Sequence, residues 1–392
     1  MSSLCFYFQI HQPFRLRTKY SFFEIGIDHL YEDSVLNRDI CNKVSKNCYI
    51  PATRKMLDLV EKFKGKFKIS FSITGTALEQ FQQFNPEVIE LLKNLSQSGC
   101  VEFIAETYYH SLAFLFSLEE LRQQTEKHKN TITELFGVNP VTFRNTELVY
   151  SNAIALEAKN MGFKNIFAEG ADNLLGQLSP CRLYSPKGLL DINLLLRNYR
   201  LSDDIALRFS EKKQKKHPLT AKKYVRLLSD ALSAGAGAAA STGIVNLFMD
   251  YETLGEHHSA KTGILDFFED VVSTVINKTD MEFIMPKEVS QKHKHAGEID
   301  APDNTSWQGN AMQKSSLNMI YKIEKKIKTL DDKNIIHIWR KLQTSDHFYC
   351  MSTKGFKDGD AHKYFNYFAT PYDAYIVYTN IVNDLCETIK KM

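Results

Sequence analysis

Apolar residues along this chain fall into two spacings, and the two alternate. Short runs at Leu4–Ile10, Phe67–Ile73, Val101–Ala105, Val141–Phe143, Lys164–Ala168 and Ile244–Met249 read as strands, the most apolar of them buried on both faces. Between them, apolar residues recur every three or four positions at Ala52–Phe63, Pro86–Gly99, Ser117–Phe136, Ala153–Met161, Thr220–Ser233 and Gly263–Asn277, which predicts amphipathic helices. Punctuation agrees with the periods. Pro86 stands at a helix start, Ser117 with Glu120 forms a capping-box pattern, and Gly137 and Gly162 supply stops. Strand followed by helix, always in that sense, means parallel strands joined by helical crossovers.

The remaining stretches are less regular. Residues 14–50 read as a long loop with short helical pieces. Residues 170–209 read as short β-like segments, among them Cys181–Tyr184 and Ile192–Arg197, and 285–305 as loop. From Trp307 the pattern is helical at 307–329, 334–343 and 371–391. The expected organisation is an α/β domain over 1–300 and a helical subdomain over 301–392. No solenoid-type repeat is present.

Composition narrows the function classes. The 392 residues carry a net charge of only +3, so no basic field points to nucleic acid. The local run Lys212, Lys213, Lys215 and Lys216 reads as a solvated loop, and Ala234–Ala240 as a loop before the late strand. Seven cysteines, an odd number without a C-x-x-C pair, fit reduced thiols in a cytosolic protein. The N-terminus has no basic leader, and no apolar run approaches the ~20 residues of a membrane span. The expectation is a cytoplasmic protein with no membrane partner. Oligomeric state is left open.

Candidate chemistry lies where strands end. The run Ile244–Met249 breaks into Asp250, Glu252, Glu256, His257 and His258, with Gly255 as the turn. His11-Gln12 follow the first strand, Glu79 lies beyond the second, Glu106 and His110 follow the third, and Glu147 follows the fourth. In a parallel barrel all these ends share one face, so residues far apart in sequence converge. On the residues alone, the alternative for the charges after Met249 is an ordinary solvated strand-to-helix loop.

Five segments in this order resemble the signature regions of glycoside hydrolase family 57: His11-Gln12-Pro13; Gly75–Glu79; R-N-T-E-L-V-Y around Glu147; F-M-D-Y-E-T-L-G-E-H-H around Asp250; and T-S-D-H-F near Asp346. The resemblance covers nearly the whole chain. It implies an incomplete (β/α)7 TIM-like barrel followed by a helical bundle, with no cofactor and no metal. It also implies retaining hydrolysis of α-1,4-glucans, with Glu147 as nucleophile and Asp250 as acid/base. Two carboxylates suit acetal cleavage because one attacks the anomeric carbon while the other protonates the leaving oxygen, about 5–5.5 Å apart for retention. His11, Glu79, His110 and Asp346 are the implied sugar contacts. For Glu79, helix-start capping is the equal alternative. Many members carry tryptophan after the last aspartate, whereas His347-Phe348 stand here, which changes the expected aromatic platform. Tyr108, Tyr109 and Trp307 are candidates to stack on sugar rings or pack in the core. Asp203, Asp204 and Arg208 line the cleft or form a surface ion pair.

The same intermediate serves hydrolysis and 4-α-glucanotransfer. The chain leaves no room for the large β-rich C-terminal domain that some transferases carry, so an α-amylase-like hydrolase is the expectation. The rivals are a metal-dependent deacetylase-like enzyme, which needs clustered His/Asp ligands, and a non-catalytic glycan-binding protein.

Overall fold

The computed structural model describes residues 1–211, 218–235, 243–302, 309–353 and 366–392. Among these residues, seven strands form the main sheet: β1 (Ser3–Ile10), β2 (Ile69–Ile73), β3 (Val101–Ile104), β4 (Thr142–Arg144), β5 (Asn165–Glu169), β6 (Asn193–Arg197) and β7 (Ile244–Asp250). Their order is β3-β2-β1-β7-β6-β5-β4, all parallel. Ala105, just past β3, bridges Phe143 of β4, so the two ends of the sheet meet in a barrel. The seam between β6 and β7 is thin in register, one residue pair, Arg197 with Asn246, and is joined by bonds from Asn246 Nδ2 to the Leu196 carbonyl at 3.0 Å, from the Asn198 amide to the Asn246 carbonyl at 2.9 Å and from Arg197 Nε to the Phe248 carbonyl at 2.8 Å. A short strand, β8 (Glu282–Phe283), adds beside Ser3 and Leu4 of β1.

Strand parity sorts the side chains. Leu4, Phe6, Phe8 and Ile10 of β1 point outward into a core with Met56, Leu59, Val88, Leu92, Phe268 and Val272 of the surrounding helices. Cys5 and Tyr7 point inward, where Tyr7 meets Phe167 of β5 edge-on across the barrel at 4.9 Å. Period two then carries Gln9 inward at the C-terminal mouth. On the far side, Phe143, Ile166, Ala168, Leu194 and Leu196 pack against the C-terminal helices through Leu317, Ile320, Trp339, Tyr378 and Ile381. Each large apolar side chain so buried contributes about 1.5–3 kcal/mol.

Several elements differ from the sequence reading or add to it. Residues 14–50 are not mainly loop: helix Ser34–Val44 runs through a π-helical turn, Ser45–Tyr49, into helix Ile50–Lys62. Its first part buries Asn37, Cys41 and Val44, so the covered face carries too little apolar signal to show a period. Gly75–Phe84 is a helix, capped by Thr74, whose hydroxyl accepts from the Ala77 amide. Tyr199–Ala206 is a helix capped by Asn198, within the stretch read as β-like. The first C-terminal helix is divided into Ala311–Lys322 and Glu324–Leu330. Helix Ala221–Gly235 includes Ala234 and Gly235, read above as loop. Trp307, the lysine run at 212–216 and residues 236–240 lie outside the described residues. Among the described residues, no helix is long and apolar enough to cross a membrane.

Candidate active site

A cavity of about 380 Å³ lies at the C-terminal mouth of the strands. His11, His110, Glu147, Asp250 and Asp346 all line it, together with Gln9, Arg144, Glu252, Ser345, Tyr349 and Tyr367. Its size is within the range of small-ligand pockets.

Glu147 sits in a tight turn after β4 with φ 57° and ψ 23°, and Leu148 follows at φ 53°. Left-handed backbone at a non-glycine residue costs about 1–3 kcal/mol and gathers at functional sites. The turn is held by the Leu148 amide donating to the Asn145 carbonyl at 3.0 Å and by Asn145 Nδ2 donating to the Val149 carbonyl at 3.0 Å. The Glu147 side chain is 54% exposed, open toward the cleft. Its Oε1 meets His110 Nε2 at 3.2 Å and accepts from Ser345 Oγ at 3.2 Å. Burial around the turn works to raise its pKa. The His110 hydrogen bond and charge, with the Arg144 guanidinium, outweigh it and hold the carboxyl down at about 2. Cleft water screens both effects, and Glu147 is ionised at neutral pH.

Behind it, His110 is itself strained at φ 52° and nearly fully buried. Its Nδ1 meets Glu106 Oε2 at 3.1 Å while Nε2 meets Glu147. A neutral imidazole donates from one nitrogen only, so two carboxylate partners require the doubly protonated ring. Burial opposes the charge, yet the two carboxylates push the His110 pKa up to about 9. Glu106 is wholly buried. Its Oε1 accepts from Gln9 Nε2 at 2.8 Å and from Ser72 Oγ. Burial alone raises its pKa, but His110 and Arg144 bring it to about 2. His128, from helix Leu118–Phe136, fixes this corner: Nε2 donates to the Ile73 carbonyl at 2.7 Å, and Nδ1 accepts from the Glu106 amide at 3.4 Å.

His11 stacks on His110 with ring centroids 4.1 Å apart. Its Nε2 donates to Asp346 Oδ2 at 2.8 Å, and Nδ1 accepts from the Thr74 hydroxyl at 3.0 Å. Burial and the neighbouring His110 charge lower its pKa, so it is the neutral member of the pair. Burial raises Asp346, while His11 and His110 draw it well below the usual carboxylate range. Asp346 reaches the barrel mouth because Thr344 bridges Ser111 and the Ser345 amide donates to the His110 carbonyl at 2.9 Å.

Asp250 ends β7 and is exposed to the cavity. Glu252, two residues on, is buried. It accepts from the Tyr49 hydroxyl, which itself accepts from Gln12 Nε2 at 2.8 Å. Burial and the neighbouring Asp250 charge push Glu252 well above the usual carboxylate range. Gly255 is required here: φ is +136°, and a Cβ would lie 2.2 Å from the Asn47 carbonyl oxygen of the π-helical turn that carries Tyr49. Glu256 pairs with Lys43 at 2.5 Å and accepts from Asn47 Nδ2 at 2.9 Å. His258 turns away, bonding Ser210 Oγ and the Ile205 carbonyl.

Some expected contacts are elsewhere. Glu79 does not line the cavity. It accepts from the Tyr108 hydroxyl at 2.8 Å and faces His337 at 3.6 Å. Tyr108 and Tyr109 are buried beneath Lys127, whose Nζ lies 3.8 Å from the Tyr108 ring centroid. Asp203 pairs with Arg197 at 2.6 Å and Asp204 with Arg208 at 2.9 Å, off the cavity. His347 and Phe348 are buried, and among the described residues Tyr349 and Tyr367 are the tyrosines lining the cavity instead. Tyr349 lies three residues past Asp346 on one short helix, the spacing that shares a face, whereas Tyr367 has no sequence signal. Arg144 and Ser345 were legible only as neighbours of Glu147 and Asp346. Among the described residues, no group of three His, Cys, Asp or Glu side chains is arranged to hold a metal ion.

Known proteins resemble this chain in sequence and in fold. An alpha-amylase candidate of Methanocaldococcus jannaschii is 39% identical over 99% of this chain and 85% of its own length. Two solved structures share the fold. One is an alpha-amylase from Thermotoga maritima (TM-score 0.68, 10% identity, covering 100% of this chain and 94% of that one). The other is a family 57 branching enzyme from Thermococcus kodakaraensis (TM-score 0.67, 15% identity, 93% and 87%). The sequence profile described as Glycosyl hydrolase family 57 matches residues 5–302. With that match across three-quarters of the chain and a relative 39% identical over nearly all of it, this protein belongs to glycosyl hydrolase family 57, a family of glycosidases.

Proposed function

We propose that this protein is a retaining, α-amylase-like glycosidase of α-1,4-glucans, with Glu147 as nucleophile and Asp250 as acid/base. One observation carries the reading: Glu147, held ionised by His110, shares a sugar-sized cavity with the exposed carboxyl of Asp250. In the first step a Glu147 oxygen attacks the anomeric carbon. The bond to the leaving oxygen breaks, and Asp250 gives that oxygen its proton. In the second, Asp250 takes a proton from water, whose oxygen attacks the same carbon, and the electron pair of the ester bond returns to Glu147. His11 and Asp346 hold sugar hydroxyls beside the cleaved bond. Tyr349 and Tyr367 offer ring faces for stacking. The names of its relatives, an alpha-amylase and a branching enzyme, support an α-glucan as substrate.

Incubation with maltoheptaose tests this. Shorter oligosaccharides that retain the α-anomeric configuration at first release are expected, and Glu147→Gln should abolish them. Products longer than the substrate would mean 4-α-glucanotransfer through the same intermediate. Release of the β-anomer, or full activity in Glu147→Gln, would overturn the assignment of the nucleophile.

A further inference from the structure

We propose that Glu106 is a positioning residue that keeps His110 an imidazolium through the whole reaction, including the stage at which Glu147 carries no charge. This rests on Glu147 being the nucleophile.

The geometry is one-sided. His110 has two carboxylate partners, but only one of them reacts. Glu147 is half open to the cleft, whereas Glu106 is wholly buried and tied by Gln9 of β1 and Ser72 of β2. Among the described residues, the other charged or titratable groups facing the ring are Arg144 from β4, whose Nη1 is 3.5 Å from Nδ1, His11 stacked from the end of β1, and Asp346 beyond it. Asp346 is already engaged by His11, and Arg144 repels the imidazolium.

When the Glu147 oxygen bonds to the anomeric carbon, the carboxylate becomes a neutral ester. His110 then loses half of the negative charge that holds its proton, while burial and Arg144 still work to expel it. Glu106 is the charge that remains, 3.1 Å from Nδ1. In the second step the ester bond breaks and its electron pair returns to Glu147, so negative charge grows beside His110 Nε2. A proton already in place stabilises that charge without rearrangement. The Glu106 contribution therefore falls on release of the sugar from the ester more than on its formation.

Nitrogen-15 NMR of histidine-labelled wild-type protein reads the first half of the claim without turnover. Both His110 ring nitrogens are expected to be protonated near pH 8, in the free protein and in the ester trapped with a slow fluoro-sugar. A neutral ring in either state would overturn the proposal. On an aryl α-maltoside, whose good leaving group makes ester breakdown limiting, Glu106→Gln should lower kcat about tenfold or more, the size of a one-unit pKa change. Its kcat/KM should hold near the wild-type value, with a stoichiometric burst of aryl alcohol, and Glu106→Asp should restore part of kcat. Equal losses in kcat and kcat/KM would overturn it. If Glu106→Gln does not fold, the NMR of the trapped wild-type ester decides alone. A wild type that forms no ester with any α-glucoside would instead sink the glycosidase reading, and the proposal with it.

Discussion

Glu147 and His110 are the two lining residues that carry both strained backbone and strong electrostatic coupling. Their left-handed conformations persist because threonine hydroxyls, Asn145 and the incoming Ser345 amide hold the surrounding loops. Asp250 is the opposite case, a regular strand end open to the cleft. On the proposed reading the roles divide accordingly: Glu147, preorganised as an anion, is the nucleophile, and Asp250, open to the cleft, is the acid/base. Asp250→Asn should therefore lower kcat/KM on maltoheptaose about 10²–10⁴-fold, with a smaller loss on an aryl maltoside that needs no proton. Equal losses on both substrates would remove Asp250 from the acid role. The carboxylates themselves were legible from their strand-end motifs. The strain was not, because nothing in T-E-L forbids an extended turn.

Helix ends and close approaches set the elements around the site. Gly75 begins the helix after β2 with its Cα against the Tyr108 ring, where a Cβ would lie 2.3 Å away. Gly75→Ala should cost about 1–3 kcal/mol in denaturant unfolding, because the ring has no room to retreat. Asp331 ends helix Glu324–Leu330 at φ 50° on the surface. Asp331→Gly relieves a left-handed cost of about 1–2 kcal/mol but loosens the unfolded chain by about 0.4–1 kcal/mol. A net gain of about 0.5–1 kcal/mol is expected in the same measurement. Trp339 is fully buried in the C-terminal core and donates from Nε1 to the Ile320 carbonyl at 2.8 Å. Trp339→Ala should cost about 3–5 kcal/mol.

Across the whole molecule, the buried titratable groups give stability a pH profile. Glu106 has a depressed pKa, so its contribution is present above the unfolded value near 4.3 and is lost as pH falls toward about 2. It is on the order of 3 kcal/mol. His110 is raised to about 9, so its contribution is complete below about 6.5 and is lost as pH rises through 9. Glu102, at the opposite end of β3, is pushed up to about 7 by burial, against bonds from the Thr142 hydroxyl and the Lys287 amide. The folded state then binds the extra proton, and stability falls as pH rises from about 4.3 to 7. All three slopes point to a thermal midpoint that peaks near about pH 5 and declines toward pH 9. A midpoint that climbs steadily from pH 5 to pH 9 would contradict these pKa directions.

From its own order of residues the chain determined the alternation of strand and helix, the parallel sheet, and the polar strand ends that include Glu147 and Asp250. These depend on periods of two and of three to four, which neighbouring residues set by themselves. Tertiary structure decided the rest. It brought Ser345, Asp346 and Tyr349 from the C-terminal helices onto the His110 loop, chose Glu106 as the partner of His110, and turned Glu79, Tyr108 and Tyr109 away from the cavity. Such pairings depend on which loops meet above the barrel and on the charges each side chain faces there. Residues hundreds of positions apart acquire those neighbours only when the strands close the ring.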